Sequence, residues 1–171
     1  MSRLISRATG VFIVPGPIAC VNREDVARIR AEAPLTPLRR CRICAHADND
    51  DPVQEMIIAL CHDSYIPPHR HRGKSESFHV VEGQADLFFF DEKGTILQTL
   101  SLSADSPDGF YYRLSEPLYH TVLAHDDMLV IHETVTGPFC PESTDTAPFA
   151  PPPDDVEAVG RFMAALRSVR A

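Results

Sequence analysis

The stretch that decides the fold is Pro67-Pro68-His69-Arg70-His71-Arg72-Gly73-Lys74-Ser75-Glu76-Ser77-Phe78-His79-Val80-Val81-Glu82-Gly83. His69 and His71 are two residues apart. A strand repeats every two residues, so both imidazoles face the same side. A four-residue loop then delivers Glu76 at the head of the next strand, and Gly83 follows seven residues later, where that strand must turn. Two imidazoles and a carboxylate converging from neighbouring strands make most of a transition-metal site. The remaining ligand is expected from His120, in Pro117-Leu118-Tyr119-His120-Thr121-Val122, just after a proline turn and at the head of a later strand. Solvated loop histidines are the alternative reading of His69 and His71, and it gives His120 no part. Three imidazoles and one carboxylate leave two positions of an octahedral ion open. A divalent ion would keep a charge of about +1 there, which favours anionic or polyhydroxy ligands. The donor set does not choose among Fe, Mn, Ni and Zn.

Outward from this motif the chain reads as short strands. Ile57 to Leu60, Ser75 to Val81, Ala85 to Phe90, Ile96 to Leu102, Phe110 to Leu114, His120 to Ala124 and Met128 to Val135 are rich in β-branched, aromatic and aliphatic residues. Turn clusters such as Glu82-Gly83-Gln84 and Asp91-Glu92-Lys93-Gly94 separate them. That spacing predicts a sandwich or barrel, and the lack of intervening helical patterns argues against a parallel α/β sheet. Residues 1–36 are expected to form a strand, a turn around Pro15-Gly16-Pro17, a second strand, and a helix over about 23–33 capped by Asn22 with Val26, Ile29 and Ala33 as its apolar stripe. Residues 37–136 form the barrel. Residues 137–171 are a proline-rich wrap, anchored by Phe139 and Phe149, and a closing helix begun by Asp154 or Asp155. Val156, Val159, Met163 and Leu166 form its buried face, with Arg161, Arg167 and Arg170 mainly off it.

Composition sets the outer limits. The 171 residues fit one domain, and 16 Lys+Arg against 24 Asp+Glu leave a net charge of −8. That balance excludes a nucleic-acid or anionic-membrane binder, which needs a basic face. Fifteen prolines disfavour a helical bundle. Five cysteines exclude a fully paired disulfide framework, and Cys41-x-x-Cys44 has no second ligand pair to complete a zinc knuckle. Reduced thiols point to a cytoplasmic protein. Arg3 and Arg7 ahead of Val11 to Val14 faintly imitate a signal peptide, but Pro15 breaks the apolar run after four residues. Exposed sheet edges predict a homodimer.

The pattern H-x-H-x4-E-x6-G with a later turn-and-histidine element resembles the cupin superfamily. Residues 39–153 resemble the WbuC-type cupin-fold metalloproteins more particularly. The matches are Cys44-Ala45-His46, Asp51-Pro52-Val53-Gln54-Glu55-Met56, Pro68 to Gly83, Phe90-Asp91 with Gly94, Tyr119-His120-Thr121, and His132-Glu133-Thr134 with Gly137-Pro138-Phe139. The resemblance implies an all-β, single-domain jelly roll (a double-stranded β-helix) with short terminal helices. It also implies one metal ion at His69, His71, Glu76 and His120, and a setting in bacterial surface-polysaccharide synthesis. Two departures from the general cupin pattern stand out: Asp63 replaces a turn glycine, and Pro117-Leu118-Tyr119 lacks the glycine that often precedes the last histidine.

The function expected on these grounds is binding of, or action on, a sugar or sugar-derived anion, with the ion as Lewis acid in an isomerase- or epimerase-like step. A non-catalytic sugar or sugar-nucleotide module and an Fe(II)-dependent dioxygenase are the alternatives. Proton transfer is assigned to Glu133, His132 or His46. Glu133 and His132 are neighbours on one strand, so only one faces the cavity. Gln54, Lys74 and Tyr119 are the expected substrate contacts. His79 has the opposite parity to Glu76 and is read as facing outward.

Overall fold

The computed structural model describes residues 4–169, so Arg3 and Arg170 of the sequence reading lie outside it. The strands are β1 (Ile5–Ala8), β2 (Val11–Ile13), β3 (Arg40–Cys44), β4 (Val53–Cys61), β5 (His69–His71), β6 (Glu76–Glu82), β7 (Gln84–Phe90), β8 (Ile96–Ser103), β9 (Tyr111–Leu114), β10 (Tyr119–Ala124), β11 (Met128–Thr136) and β12 (Thr144–Thr146). Two helices, α1 (Arg23–Glu32) and α2 (Val156–Ser168), flank them. One sheet runs β1-β2-β3-β4-β11-β6-β9, the other β12-β5-β10-β7-β8. The sheets face each other as a jelly roll. Between them lies a core drawn from both, including Phe78, Val80, Leu87, Phe89, Leu129 and Ile131.

Both sheets are also covered outside. Ile29 and Ala33, at and just beyond the C-terminal end of α1, pack on Cys41, Ile43, Ala59 and Val130 of the larger sheet. Met163 and Leu166 of α2 pack on Phe88, Phe90 and Leu123 of the smaller one. This explains the unbroken Phe88-Phe89-Phe90 run. Phe89 fills the interior, its neighbours fill the layer under α2, and a strand buried on both faces has no polar alternation to show. The helix starts are locally encoded. Asn22 Oδ1 accepts from the Glu24 and Asp25 N–H groups at 2.9 and 3.0 Å, and the Asp25 carboxylate accepts from Asn22 N–H at 3.1 Å. This reciprocal capping box satisfies otherwise orphaned donors. Asp155 caps α2 through the Ala158 N–H at 3.0 Å. Gly83 closes the β6–β7 turn at φ 82, and a Cβ there would stand 2.5 Å from the Met128 carbonyl oxygen. Only glycine meets both conditions.

Several expectations need correction. The N-terminal turn lies at Thr9-Gly10, where Gly10 has a positive φ of 70, and not at Pro15 to Pro17. β2 then pairs parallel to β3, so β1 and β2 extend the barrel's own sheet. The wrap contains β12, which pairs with β5 through Thr144↔His71 and Thr146↔His69. Three residues between prolines are too short for a periodicity signal. Phe149 anchors the wrap against Phe90 and Tyr119, whereas Phe139 is exposed. On α2, Val156 is 80% exposed, and the buried stripe runs through Val159, Phe162, Met163 and Leu166. No described helix is long and apolar enough to cross a membrane.

Candidate metal centre

The register of the smaller sheet sets His69 of β5 directly opposite His120 of β10. His71 lies on the same face as His69, and Glu76 enters from the head of β6 in the facing sheet. One donor atom from each of His69, His71, Glu76 and His120 lies within 4.8 Å of all the others. Donors about 2.1 Å from a common ion stand about 3 Å apart when cis and about 4.2 Å when trans. Two separations fall near the cis value, each through a different carboxylate oxygen: Glu76 Oε2 is 3.0 Å from His71 Nε2, and Glu76 Oε1 is 3.3 Å from His120 Nε2.

Each imidazole is aimed by its other nitrogen. His69 Nδ1 lies 3.0 Å from the Pro67 carbonyl oxygen, His120 Nδ1 3.0 Å from that of Leu118, and His71 Nδ1 3.0 Å from Thr144 Oγ1. A ring that donates Nδ1–H to a carbonyl presents an Nε2 lone pair to the centre, the orientation a metal ligand requires. His120 Nε2 is buried and has no hydrogen-bond partner, because its approach to Glu76 is poorly directed. A buried nitrogen without a partner is costly, and a metal ion in the middle of the four donors would satisfy it. The four side chains therefore form a cluster able to hold a metal ion.

Electrostatics agree with that donor chemistry. Burial pushes the His69 pKa down to about 4, with the neighbouring His120 acting the same way, so the ring is neutral near pH 7. Burial alone would raise Glu76, but the positive field of His120 and the hydrogen bond with His71 hold it well below the usual carboxylate range. Burial would lower His120, but the Glu76 carboxylate more than offsets this and raises it. Tyr112, absent from the sequence reading, donates its hydroxyl to Glu76 Oε1. It sits on β9 opposite Phe78, on the inner face, and is buried. Its phase in the 110–114 run was the available signal.

Two cavities meet at the cluster. The outer one, about 620 Å³, is lined by His46, Gln54 and Lys74 as well as His69, His71 and Glu76. The inner one, about 470 Å³, reaches into the barrel past Tyr112 and His120. Arg42, His69, Glu76 and Glu133 line both. Register resolves the choice on β11. Glu133 pairs with the inward Phe78 and faces the cavity, whereas His132 pairs with His79 on the outer face, their rings 5.6 Å apart. His132 is therefore removed from the site, and His79 faces outward as its parity implies. Burial first, and then the Glu76 charge, raise the Glu133 pKa to about 8, with His120, Arg42 and Arg40 acting in the opposite direction. Tyr119 also points away. It is buried against Phe149 with the Arg70 guanidinium 4.4 Å above its ring, since on β10 it has the opposite parity to His120. Gln54 uses its amide nitrogen to hold the rim, donating to the Asp48 and Asp51 carbonyls at 3.1 and 2.9 Å. Lys74 donates to the Pro138 carbonyl. His46 Nδ1 accepts from the Glu55 N–H at 3.0 Å while its ring lines the outer cavity.

A family described as "Domain of unknown function (DUF6016)" matches residues 21–102. No curated protein matches. Among solved structures, protein SO0799 from Shewanella oneidensis is similar with a TM-score of 0.51 at 10% identity, over 72% of this chain and 77% of that one. The capsular polysaccharide assembling protein CapF from Staphylococcus aureus is similar with a TM-score of 0.50 at 18% identity, over 61% of this chain. The match spans only 34% of CapF. A complex of CapF with the inhibitor 3-isopropenyl-tropolone gives the same score and identity. At these identities the likeness concerns the fold alone, and the fold is the all-β cupin jelly roll.

Proposed function

We propose that this chain is a WbuC-type cupin that holds one divalent transition-metal ion at His69, His71, Glu76 and His120. It binds or transforms a sugar-derived anion in surface-polysaccharide synthesis. The observation that carries the reading is the convergence of four aimed donors on a point where a buried His120 Nε2 has no other partner. The polysaccharide setting draws on the motif resemblance and on the printed name of CapF. When bound, the ion supplies Lewis acidity toward a substrate carbonyl or hydroxyl oxygen.

The chain's own residues do the rest. The Pro67 and Leu118 carbonyls and Thr144 keep three imidazoles in their orientation. Tyr112 keeps the Glu76 carboxylate in place. Glu133, on the wall shared by both cavities, moves a proton at its carboxyl oxygen; a pKa of about 8 leaves it poised near neutrality. His46 and Lys74 lie on the outer wall, where a polar ligand enters. The chain works as a homodimer in the cytoplasm.

Elemental analysis of freshly purified protein tests the metal, with about one ion per chain expected. A screen of sugar phosphates and nucleotide sugars, with wild type beside Glu133→Gln, tests the rest. Turnover lost in Glu133→Gln with binding kept marks an enzyme, and binding without turnover in either protein marks the non-catalytic module. Metal-free protein that no divalent ion stabilises would refute the reading.

A further inference from the structure

We infer that Arg40 and Arg42 form the receiving site for the ligand's oxyanion, a carboxylate or phosphate, and that the less hydroxylated side of the ligand turns into the barrel interior. The inference deepens the proposed function and rests on it for the identity of the site. Strand alternation carries the first step. Cys41 and Ile43 of β3 pack outward under α1, so Arg40 and Arg42 face inward. Both line the inner cavity, which Arg42 shares with the outer one and which reaches the ligand cluster at His69, Glu76 and His120. Charge carries the second step. Arg28, Arg30, Arg39, Arg70, Arg72 and Arg161 each form an ion pair with a carboxylate; Arg7, Arg23, Arg40, Arg42, Arg113 and Arg167 form none among the described residues, and of these only Arg40 and Arg42 line the inner cavity. Arg40 Nη1 donates to the Tyr65 carbonyl at 3.2 Å, and the Cys44 thiol is a polar neighbour of Arg42.

Two like charges on one face of a half-enclosed cavity repel each other, and burial and Arg42 together lower the pKa of Arg40. Glu133 is a carboxyl that lines the same two cavities, and it pairs with neither arginine. An incoming oxyanion meets planar donor forks that match it and relieves the repulsion. The third step is the wall beyond the pair. Ile58, Ile66, Phe78, Val122 and Ile131 line it, and such a surface disfavours a ring bearing hydroxyls on every carbon.

Titration calorimetry with phenyl phosphate, benzoate and glucose 1-phosphate tests this at low ionic strength, on protein as purified and on chelator-treated protein. Phenyl phosphate or benzoate should bind one per chain, more tightly than glucose 1-phosphate. Arg42→Gln should weaken that binding at least about tenfold, and Arg42→Lys should weaken it less. The arginine dependence should persist without metal. Arg42 is solvent-accessible, so its substitution should leave the fold intact, which a circular dichroism melt checks. Wild-type protein that binds no probe, an Arg42→Gln variant that binds like wild type, or tighter binding of glucose 1-phosphate would each overturn the inference. Metal content read on the same samples separates the two proposals. One ion per chain without anion binding removes this one alone, and arginine-dependent binding without any metal removes only the metal reading.

Discussion

Replacing His120 by alanine deletes one of the four proposed metal donors and leaves β10 otherwise intact. The side chain is 3% exposed, and its Nε2 has no protein partner to lose. The effect on metal can be worked through linkage. An ion present at about 100 times its Kd stabilises the native state by about 2.7 kcal/mol. For a domain of this size each kcal/mol shifts Tm by about 2–4 °C, so zinc chloride should raise the wild-type Tm by about 5–11 °C. Losing even a residue that only supports a ligand costs up to about 100-fold in affinity, so 100-fold is a floor for losing the ligand itself. At the same zinc concentration the ratio of ion to Kd drops to about 1, stabilisation falls to about 0.4 kcal/mol, and the shift shrinks to about 1 °C. Each variant is compared with its own chelator-treated form, so any packing cost of the missing ring cancels. Scanning calorimetry gives the shifts, and elemental analysis gives the stoichiometry. His79→Ala is the control. Its ring sits on the outer face beside His132 and should leave the full shift in place. A His120→Ala protein that keeps the wild-type shift and one ion per chain would refute the assignment, as would a His79→Ala protein that loses them.

Acid should destabilise the metal-free protein through His69. The native ring resists protonation down to about pH 4, while the unfolded chain takes the proton near 6.5, so stability falls as pH drops through that window. The upper bound is about 3 kcal/mol, reduced by the opposite contribution of His120, whose native pKa is raised. Urea midpoints at pH 7 and pH 4.5 for wild type and His69→Gln check this, and equal acid losses in both would contradict it. Tyr112→Phe removes a buried donor to the Glu76 carboxylate and should cost about 1.5–3 kcal/mol in urea melts of chelator-treated protein and about 10–100-fold in metal affinity. An unchanged melt would show that the hydroxyl bond contributes nothing. Light scattering at micromolar concentration should give twice the chain mass, and a monomer would remove the dimer from the proposal.

The local parts of the molecule were legible in the residues. Two histidines spaced by one residue share a face of any strand, Asn22 with Asp25 encodes a capping box, and Gly83 marks a turn that no side chain could enter. These are properties of a few adjacent residues, and tertiary context did not override them. Tyr119 and Phe139 were misplaced because an aromatic residue reads alike on either face of a strand or on a wrap. Arg40 and Arg42 went unnoticed for the opposite reason, since charge in a short strand reads as surface.

By itself, the sequence determined which four side chains converge and that short strands would present them, because strand period and turn chemistry act over a handful of bonds. Only the tertiary structure decided that Glu133 and not His132 enters the cavity, that Tyr112 holds Glu76, and that Thr144 steadies His71. Those facts depend on the register of β11 on β6, the pairing of β9 with β6, and the return of β12 to β5. A one-residue slip in any of these pairings would turn every side chain on that strand to the other face, and which strand each one meets, and at which residue, is settled by the packed barrel.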